Sequence, residues 1–480
     1  MPYIFSPLLW LMLLPVIAGA LSPAVGKVSG KARSWLSAAL EFLAFLVAFH
    51  LFLLVSGGSP PAFSLPGLSL DGLGVFMALT VTLLGFTATL YSVKYMDGEM
   101  NLDRYYLCLH LFVAGMLAMV LADSLVSMYV ALEVMTLASC VLVAYRTGKE
   151  AAEAGYKYVI LCTLGAVFML LSILLTYQAF GTLQLAELKG RVPYDSAVVL
   201  PYIGLFAVLG LGLKAGMVPL HAWLPDAHAE APSSVSSLLS GAMIHTAAFA
   251  LMRLLSAVSV LTPGGEVGSL LVSFGLISMV VGTMLALAQT DMKRMMAYSS
   301  VDHIGFILLG AGLATPLGLL GSLYHVLSHS LGKGLLFLCA GAVIKASGTR
   351  SFRELGGLSR SMPATAVLTL IAVLSLAGVP PFTGFVSKFF VCMAAFEAGY
   401  PALVVVMLVV SVTTLAYLLR FFHAVFMGKP SGRSPEAKEA SPSMLASMLF
   451  LAFLCVLFGV YPTPVVEMLS GAVSLLLGGA

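Results

Sequence analysis

The chain has 480 residues, of which only 9% are charged and 60% are apolar. A water-soluble domain of this length carries about 25% charged residues, so the composition excludes a protein built to face water on all sides. The net charge of +3, without a basic or acidic tail, gives no reason to expect nucleic-acid binding.

Long apolar runs recur from end to end, and a run of about 18 residues or more spans a hydrocarbon core of about 30 Å. The fold class expected is all-α integral membrane, with about fourteen transmembrane helices. The runs are long and lack strict alternation, which favours helices over a barrel. In chain order the spans fall near 5–25, 35–55, 72–92, 105–121, 125–145, 156–179, 197–220, 233–260, 267–288, 298–313, 319–344, 364–397, 402–427 and 444–461. No charged leader precedes Leu8–Leu21, so that run reads as a first span and not a cleaved signal. The tail after Pro462 and Pro464 is apolar but short.

Loop charges test the count. With the N-terminus outside, sixteen Lys and Arg residues, from Lys27 to Lys438 and including Lys293, Arg294 and Arg433, fall in inside loops; only Lys189 and Arg191 fall outside. That asymmetry fits the positive-inside rule and predicts a multi-pass protein of the cell membrane. The remaining six, Lys157, Lys214, Arg253, Lys333, Lys388 and Arg420, lie inside spans.

Two spans are interrupted. The seventh runs Lys214-Ala-Gly-Met-Val-Pro219 and continues through His221, Trp223, Pro225 and Asp226. The twelfth contains Ala377-Gly-Val-Pro380-Pro381, then Gly384 and Lys388. Proline removes a backbone donor and obstructs the preceding turn. Broken backbone at membrane depth persists only where protein or water satisfies it. The breaks lie five helices apart, which predicts two inverted five-helix repeats, helices 4–8 and 9–13; unrelated kinks are the plainer alternative. The resulting divisions are 1–104 (helices 1–3), 105–260 (first repeat), 261–427 (second repeat) and 428–480 (loop, helix 14 and tail).

Glu133 sits mid-way along the fifth span, where a carboxylate costs several kcal/mol unless paired or protonated. An ion pair with Lys214 would offset the cost for both, as a proton switch or as a lock on the bundle. Burial favours neutral lysine and a nearby carboxylate favours the charged form, so a pair whose separation changes can take up and release a proton. His325, His329 and Lys333 follow at four-residue steps in the eleventh span, on one helix face, and His245 lies in the eighth. Imidazoles relay protons through either nitrogen. A lone membrane histidine more often packs than relays, but three titratable groups in one stripe favour a relay. Lys157 either joins it or snorkels to the surface. Asp123 and Asp302 read as caps or solvated residues near span ends, Arg253 and Arg420 as anchors of helix ends, and Asp291–Arg294 as a solvated loop.

The six cysteines are scattered in apolar runs, which excludes the usual iron–sulfur and zinc spacings and leaves packing as their reading. No Gly-rich dinucleotide loop is present, so no cofactor or metal is expected in this chain. One asparagine and three glutamines hint at a thermophile.

The stretches Leu132-Glu133-Val-Met-Thr, Lys157-Tyr158, Lys214 through Pro219-Leu-His-Ala-Trp223-Leu-Pro-Asp226, Asp291–Ser300, His325–Lys333 and Gly378–Lys388 resemble the antiporter-like subunits shared by respiratory complex I, Mrp-type multisubunit sodium/proton antiporters (the D-type subunit) and membrane-bound hydrogenases. The resemblance implies fourteen helices in two inverted repeats, with Glu133 and Lys214 as a switch pair, His245 as the eighth-helix linking residue and Lys388 as the twelfth-helix terminal residue. Some relatives carry a long lateral helix, which this chain is expected to lack. The function expected is proton or sodium translocation within a multisubunit complex, beside homologous antiporter-like subunits, with the redox chemistry, if any, in other chains. A self-sufficient cation/proton antiporter is the alternative, and a mere scaffold is disfavoured by the six basic residues inside spans.

Overall fold

A computed structural model describes residues 6–56, 64–191, 193, 198–429 and 437–477; positions 5, 197 and Arg433 of the sequence reading lie outside them. Helices dominate, in the order α1 Pro7–Val28, α2 Gly30–Ser56, α3 Gly72–Tyr95, α4 Leu102–Val120, α5 Leu125–Val143, α6 Lys149–Phe180, α7 Leu185–Leu188, α8 Val199–Ala215, α9 Leu224–Glu230, α10 Ser233–Leu238, α11 Ile244–Ala257, α12 Glu266–Ala288, α13 Met292–Gly312, α14 Pro316–Ser347, α15 Pro363–Ala377, α16 Thr383–Glu397, α17 Pro401–Phe422, α18 Pro442–Val460 and α19 Thr463–Leu476. A two-residue antiparallel pair, β1 Ser64–Leu65 with β2 Leu68–Ser69, precedes α3. The chain is a multi-pass membrane protein: among the described residues, eleven helices are long and apolar enough to cross a bilayer. The other three expected spans are the interrupted seventh, split into α8 and α9, the interrupted twelfth, split into α15 and α16, and the more polar α13.

Both breaks are built the same way. Gly216 and Gly378 take left-handed φ values of 80° and 84°, which glycine adopts without a Cβ clash. The amides that follow turn back onto the helix ends: Gly216 N–H donates to Leu213 and Met217 N–H to Gly212, while Gly378 N–H donates to Ser375 and Val379 N–H to Leu374. These are paired Schellman bonds. Side chains satisfy groups freed by the breaks. Trp223 Nε1–H donates to the Leu213 carbonyl (2.9 Å), and Val218 N–H to Ser278 Oγ (3.0 Å). Pro219, Pro380 and Pro381 lie on the exposed side of the breaks.

Helix α13 is pressed onto α12 along a small-residue seam. A Cβ on Gly275 would lie 2.7 Å from the Leu309 amide nitrogen, and one on Gly282 2.5 Å from that of Asp302. Such close backbone approach is how membrane helices pack without a hydrophobic drive between them. The seam fixes the helix that carries Asp302 and His303.

One loop reading is corrected. Asp291 to Arg294 is not a solvated loop. Asp291 caps α13, accepting from the Lys293 and Arg294 amides, and Lys293 is 2% exposed, its ammonium donating to the carbonyls of Ala229 and Ala231. A capped N-terminus begins the helix about two turns earlier than the apolar run does. The short tail is also an ordered helix, α19, packed on α3 and α14.

Two glycine substitutions are expected to have opposite signs. Gly282→Ala forces a methyl into the Asp302 backbone and lowers stability by about 1–3 kcal/mol. Gly471→Ala, on α19 with nothing within 4 Å, raises it by about 0.5–1 kcal/mol. Thermal unfolding of the purified chain in detergent measures both.

Candidate functional site

Titratable side chains outside aqueous contact gather between the two breaks. Lys214 (2% exposed), Lys333 (0%) and Lys388 (6%) are buried, as are His245, His303, His325 and His329.

At the first break, the Lys214 ammonium donates to Thr136 Oγ1 (2.8 Å), the Tyr158 hydroxyl (2.7 Å) and Cys162 Sγ (3.6 Å), and it lies 4.7 Å from the Tyr158 ring centroid. Neutral acceptors and a π face therefore hold the cation. The expected Glu133–Lys214 ion pair is not formed: the ion pairs of the described residues do not include it. Glu133 is only half-buried and sits beside the exposed Val130 and Val134 of α5, although it remains within electrostatic reach of Lys214. The spacing Glu133–Thr136 explains the exchange of partners. Three residues is nearly one helical turn, and it is Thr136 that faces α8. Cys162 is thus more than packing.

The histidines form two hydrogen-bonded pairs. His245 Nδ1 contacts the Gly241 carbonyl (2.8 Å) and Ser330 Oγ (3.0 Å), and its Nε2 contacts His329 Nδ1 (2.8 Å). A carbonyl only accepts, so His245 Nδ1 carries a hydrogen and Nε2 accepts from His329. The π-helical turn Leu239–Met243, between α10 and α11, precedes His245; such bulges shift side-chain direction relative to an α-helix and recur at functional sites. His303 Nδ1 contacts His325 Nε2 (3.0 Å), and His325 Nδ1 contacts Ser387 Oγ (2.9 Å), whose hydroxyl donates to the Gly384 carbonyl. By the same reasoning His325 donates to Ser387 and accepts from His303. In this neutral arrangement His329 Nε2 and His303 Nε2 are both bare acceptors. Neither has a hydrogen-bond partner, and their rings stand 4.6 Å apart, centroid to centroid.

At the second break, Lys388, the residue after Ser387, donates to the Ala377 carbonyl (3.2 Å) at the broken end of α15 and lies 5.0 Å from the Phe306 ring centroid. Lys333 donates to the Met296 carbonyl (2.8 Å).

Several of these residues were not picked out from sequence. Asp302 is not an end cap but fully buried: Thr414 donates to it at 2.9 Å, and the Tyr417 hydroxyl lies 3.5 Å away. It is within electrostatic reach of both Lys388 and Lys333. His303 is its neighbour, and the adjacent pair of titratable residues in an apolar run was the signal available. His228 is buried with both ring nitrogens unpartnered, stacked on Phe337. Lys157 is not brought to the histidines. It pairs at 2.6 Å with Asp226, which also binds Arg294, and its side chain is 42% exposed. Arg253, paired with Asp71 at 2.6 Å, and Arg420, donating to the Gln289 carbonyl, hold helix ends as expected. Among the described residues no cluster of three or more His, Cys, Asp or Glu could hold a metal ion.

Known proteins share this architecture. Residues 122–414 match the family described as NADH:quinone oxidoreductase/Mrp antiporter, transmembrane, and residues 64–106 match the N-terminus of complex I chain 5. Hydrogenase-4 component B of Escherichia coli is 34% identical over 433 residues, 84% of this chain but 64% of that protein, so the chain spans under two thirds of that relative's length. NADH-quinone oxidoreductase subunit N of Desulforudis audaxviator is 34% identical over 85% of each chain. In a structure of the membrane-bound sulfane sulfur reductase, an archaeal respiratory membrane complex, one chain superposes with a TM-score of 0.87 at 30% identity, covering 97% of this chain and 77% of that one. The chain therefore belongs to the NADH:quinone oxidoreductase/Mrp antiporter transmembrane family.

Proposed function

We propose that this chain is a proton- or sodium-translocating subunit of a multisubunit membrane complex, moving charge between the two broken helices. The observation that carries the reading is the series Lys214, His245–His329, His303–His325–Ser387 and Lys388, buried throughout and hydrogen-bonded in segments. An aliphatic core would hold the bundle as well or better, so so many titratable groups in dry surroundings call for a transport role.

The tautomers suggest how a proton crosses. One excess proton placed on His329 Nε2 or His303 Nε2 turns two facing acceptors into a donor and an acceptor. A ring rotation or a bridging water then joins the two pairs. Passing that proton on through His325 delivers it to Ser387, beside Lys388. Asp302, held by Thr414 and Tyr417, supplies the negative charge that favours a protonated Lys388. At the other end, Lys214 rests on neutral partners. Approach of Glu133 would strengthen its hold on a proton and withdrawal would weaken it, so the separated pair is one state of a two-state switch.

The two breaks, with the same glycine cap and a buried lysine each, support two inverted repeats over 105–260 and 261–427. The basic bias of one set of loops supports a cell-membrane location with the N-terminus outside. Because the relatives named above include components of hydrogenase, quinone reductase and sulfur reductase assemblies, we place homologous membrane subunits beside this chain.

Two outcomes test the reading. Replacing Lys214, Lys388 or His329 by alanine in the assembled complex is expected to lower ion pumping into vesicles by about a hundredfold, the scale of a positioned proton-transfer group; unchanged pumping would refute it. The purified chain alone in proteoliposomes is expected to give no cation/proton exchange, and full exchange would favour a self-sufficient antiporter.

A further inference from the structure

A second buried acid–base pair lies away from this series, among the N-terminal helices. Glu41 of α2 and His110 of α4 are both 0% exposed, and His110 Nδ1 lies 2.7 Å from Glu41 Oε1. The remaining polar atoms of the pair, Glu41 Oε2 and His110 Nε2, have no hydrogen-bond partner. Neither residue falls within the matched family segments 64–106 and 122–414, and neither has a part in the mechanism above.

The surroundings leave the pair no permanent counter-charge. Helix α1 packs on His110 through a small residue: a Cβ on Gly19 would lie 3.3 Å from His110 Cβ. Helix α3 packs on Glu41 at Gly85, whose Cβ would lie 3.2 Å from Glu41 Oε2. The charged residue of α1 is Lys27 and that of α3 is Lys94, each in the last turn of its helix. On α2 the others are Lys31, Arg33 and His50, on α4 Asp103 and Arg104, and α5, packed on α4, brings Glu133. A carboxylate oxygen left without a hydrogen-bond partner in such a site is several kcal/mol unfavourable.

Aromatic and cationic side chains lead from the pair toward one face of the protein. The His110 ring stacks on Tyr106 (centroids 6.3 Å apart), and the Arg33 guanidinium lies 5.4 Å from the centroid of the same Tyr106 ring. Arg33 pairs with Asp103 at 2.6 Å. Arg33, Ser34 and Tyr106 line a cleft of about 630 Å³, together with Lys31, Lys94 and Asp97. It opens on the face where the α1–α2 and α3–α4 loops lie.

We propose that Glu41 and His110 form a proton-binding dyad, loaded through this cleft and separate from the Lys–His series. The step is a simple protonation. A proton arriving past Tyr106 bonds to Glu41 Oε2 and converts the carboxylate to a carboxyl, the hydrogen on His110 Nδ1 is retained, and no other bond changes.

Infrared difference spectroscopy after a pH jump, on the purified full chain in nanodiscs, tests this. A protonated-carboxyl band is expected that disappears in Glu41→Gln, shifts in His110→Gln and persists in Lys214→Ala. Arg33→Gln should keep the band but slow its appearance several-fold. A band that survives Glu41→Gln, or a wild-type spectrum without a carboxyl change on the pH jump, overturns the proposal. Should Glu41→Gln fail to fold, His110→Gln decides: an unshifted band overturns it too. None of these readouts depends on pumping, so their failure leaves the transport reading standing, and failure of pumping leaves the dyad standing.

Discussion

The structure is organised around the cost of keeping a cation in a dry helix bundle. An ammonium without water needs acceptors at hydrogen-bond distance, and a regular helix offers few, because its carbonyls already accept one bond each. The chain answers by breaking helices. At the second break the freed Ala377 carbonyl becomes a ligand of Lys388. At the first, the neighbouring helices bring hydroxyls and a thiol to Lys214, while Trp223 takes up the carbonyl the break exposes. At these two sites the break and the buried lysine are held by one set of interactions.

The same economy shapes the path between them. Rigid helices bring the histidines into two pairs, and backbone carbonyls fix which nitrogen carries the hydrogen. The tautomers so imposed leave the two inner nitrogens as acceptors without donors. The two pairs are therefore not joined by a hydrogen bond at these nitrogens. Close packing of α12 on α13 through glycines holds the helix that carries Asp302 and His303.

The likeness to hydrogenase and quinone-reductase components places this chain in a family whose members differ in the chemistry attached to them. Its own interior, among the described residues, holds buried lysines and histidines joined by hydrogen bonds.

Sequence alone determined the membrane class, the positions of the helices, both breaks and most of the buried cations, because each is written in a local signal: an apolar run, an Ala-Gly-(Met)-Val-Pro string, a lysine where no lysine is inexpensive. What it left open was pairing, which depends on rotation about helix axes and on neighbours far along the chain. Glu133 and Thr136 differ by less than a turn, yet only Thr136 reaches Lys214. Asp302 read as an end residue because the apolar run starts at Tyr298, while the Asp291 cap starts the helix at Met292. Lys157 found Asp226 instead of the histidines, and Glu41 with His110 went unremarked until folding brought together two helices 69 residues apart. Local composition sets what each segment is, and only tertiary packing decides which side chains share a proton.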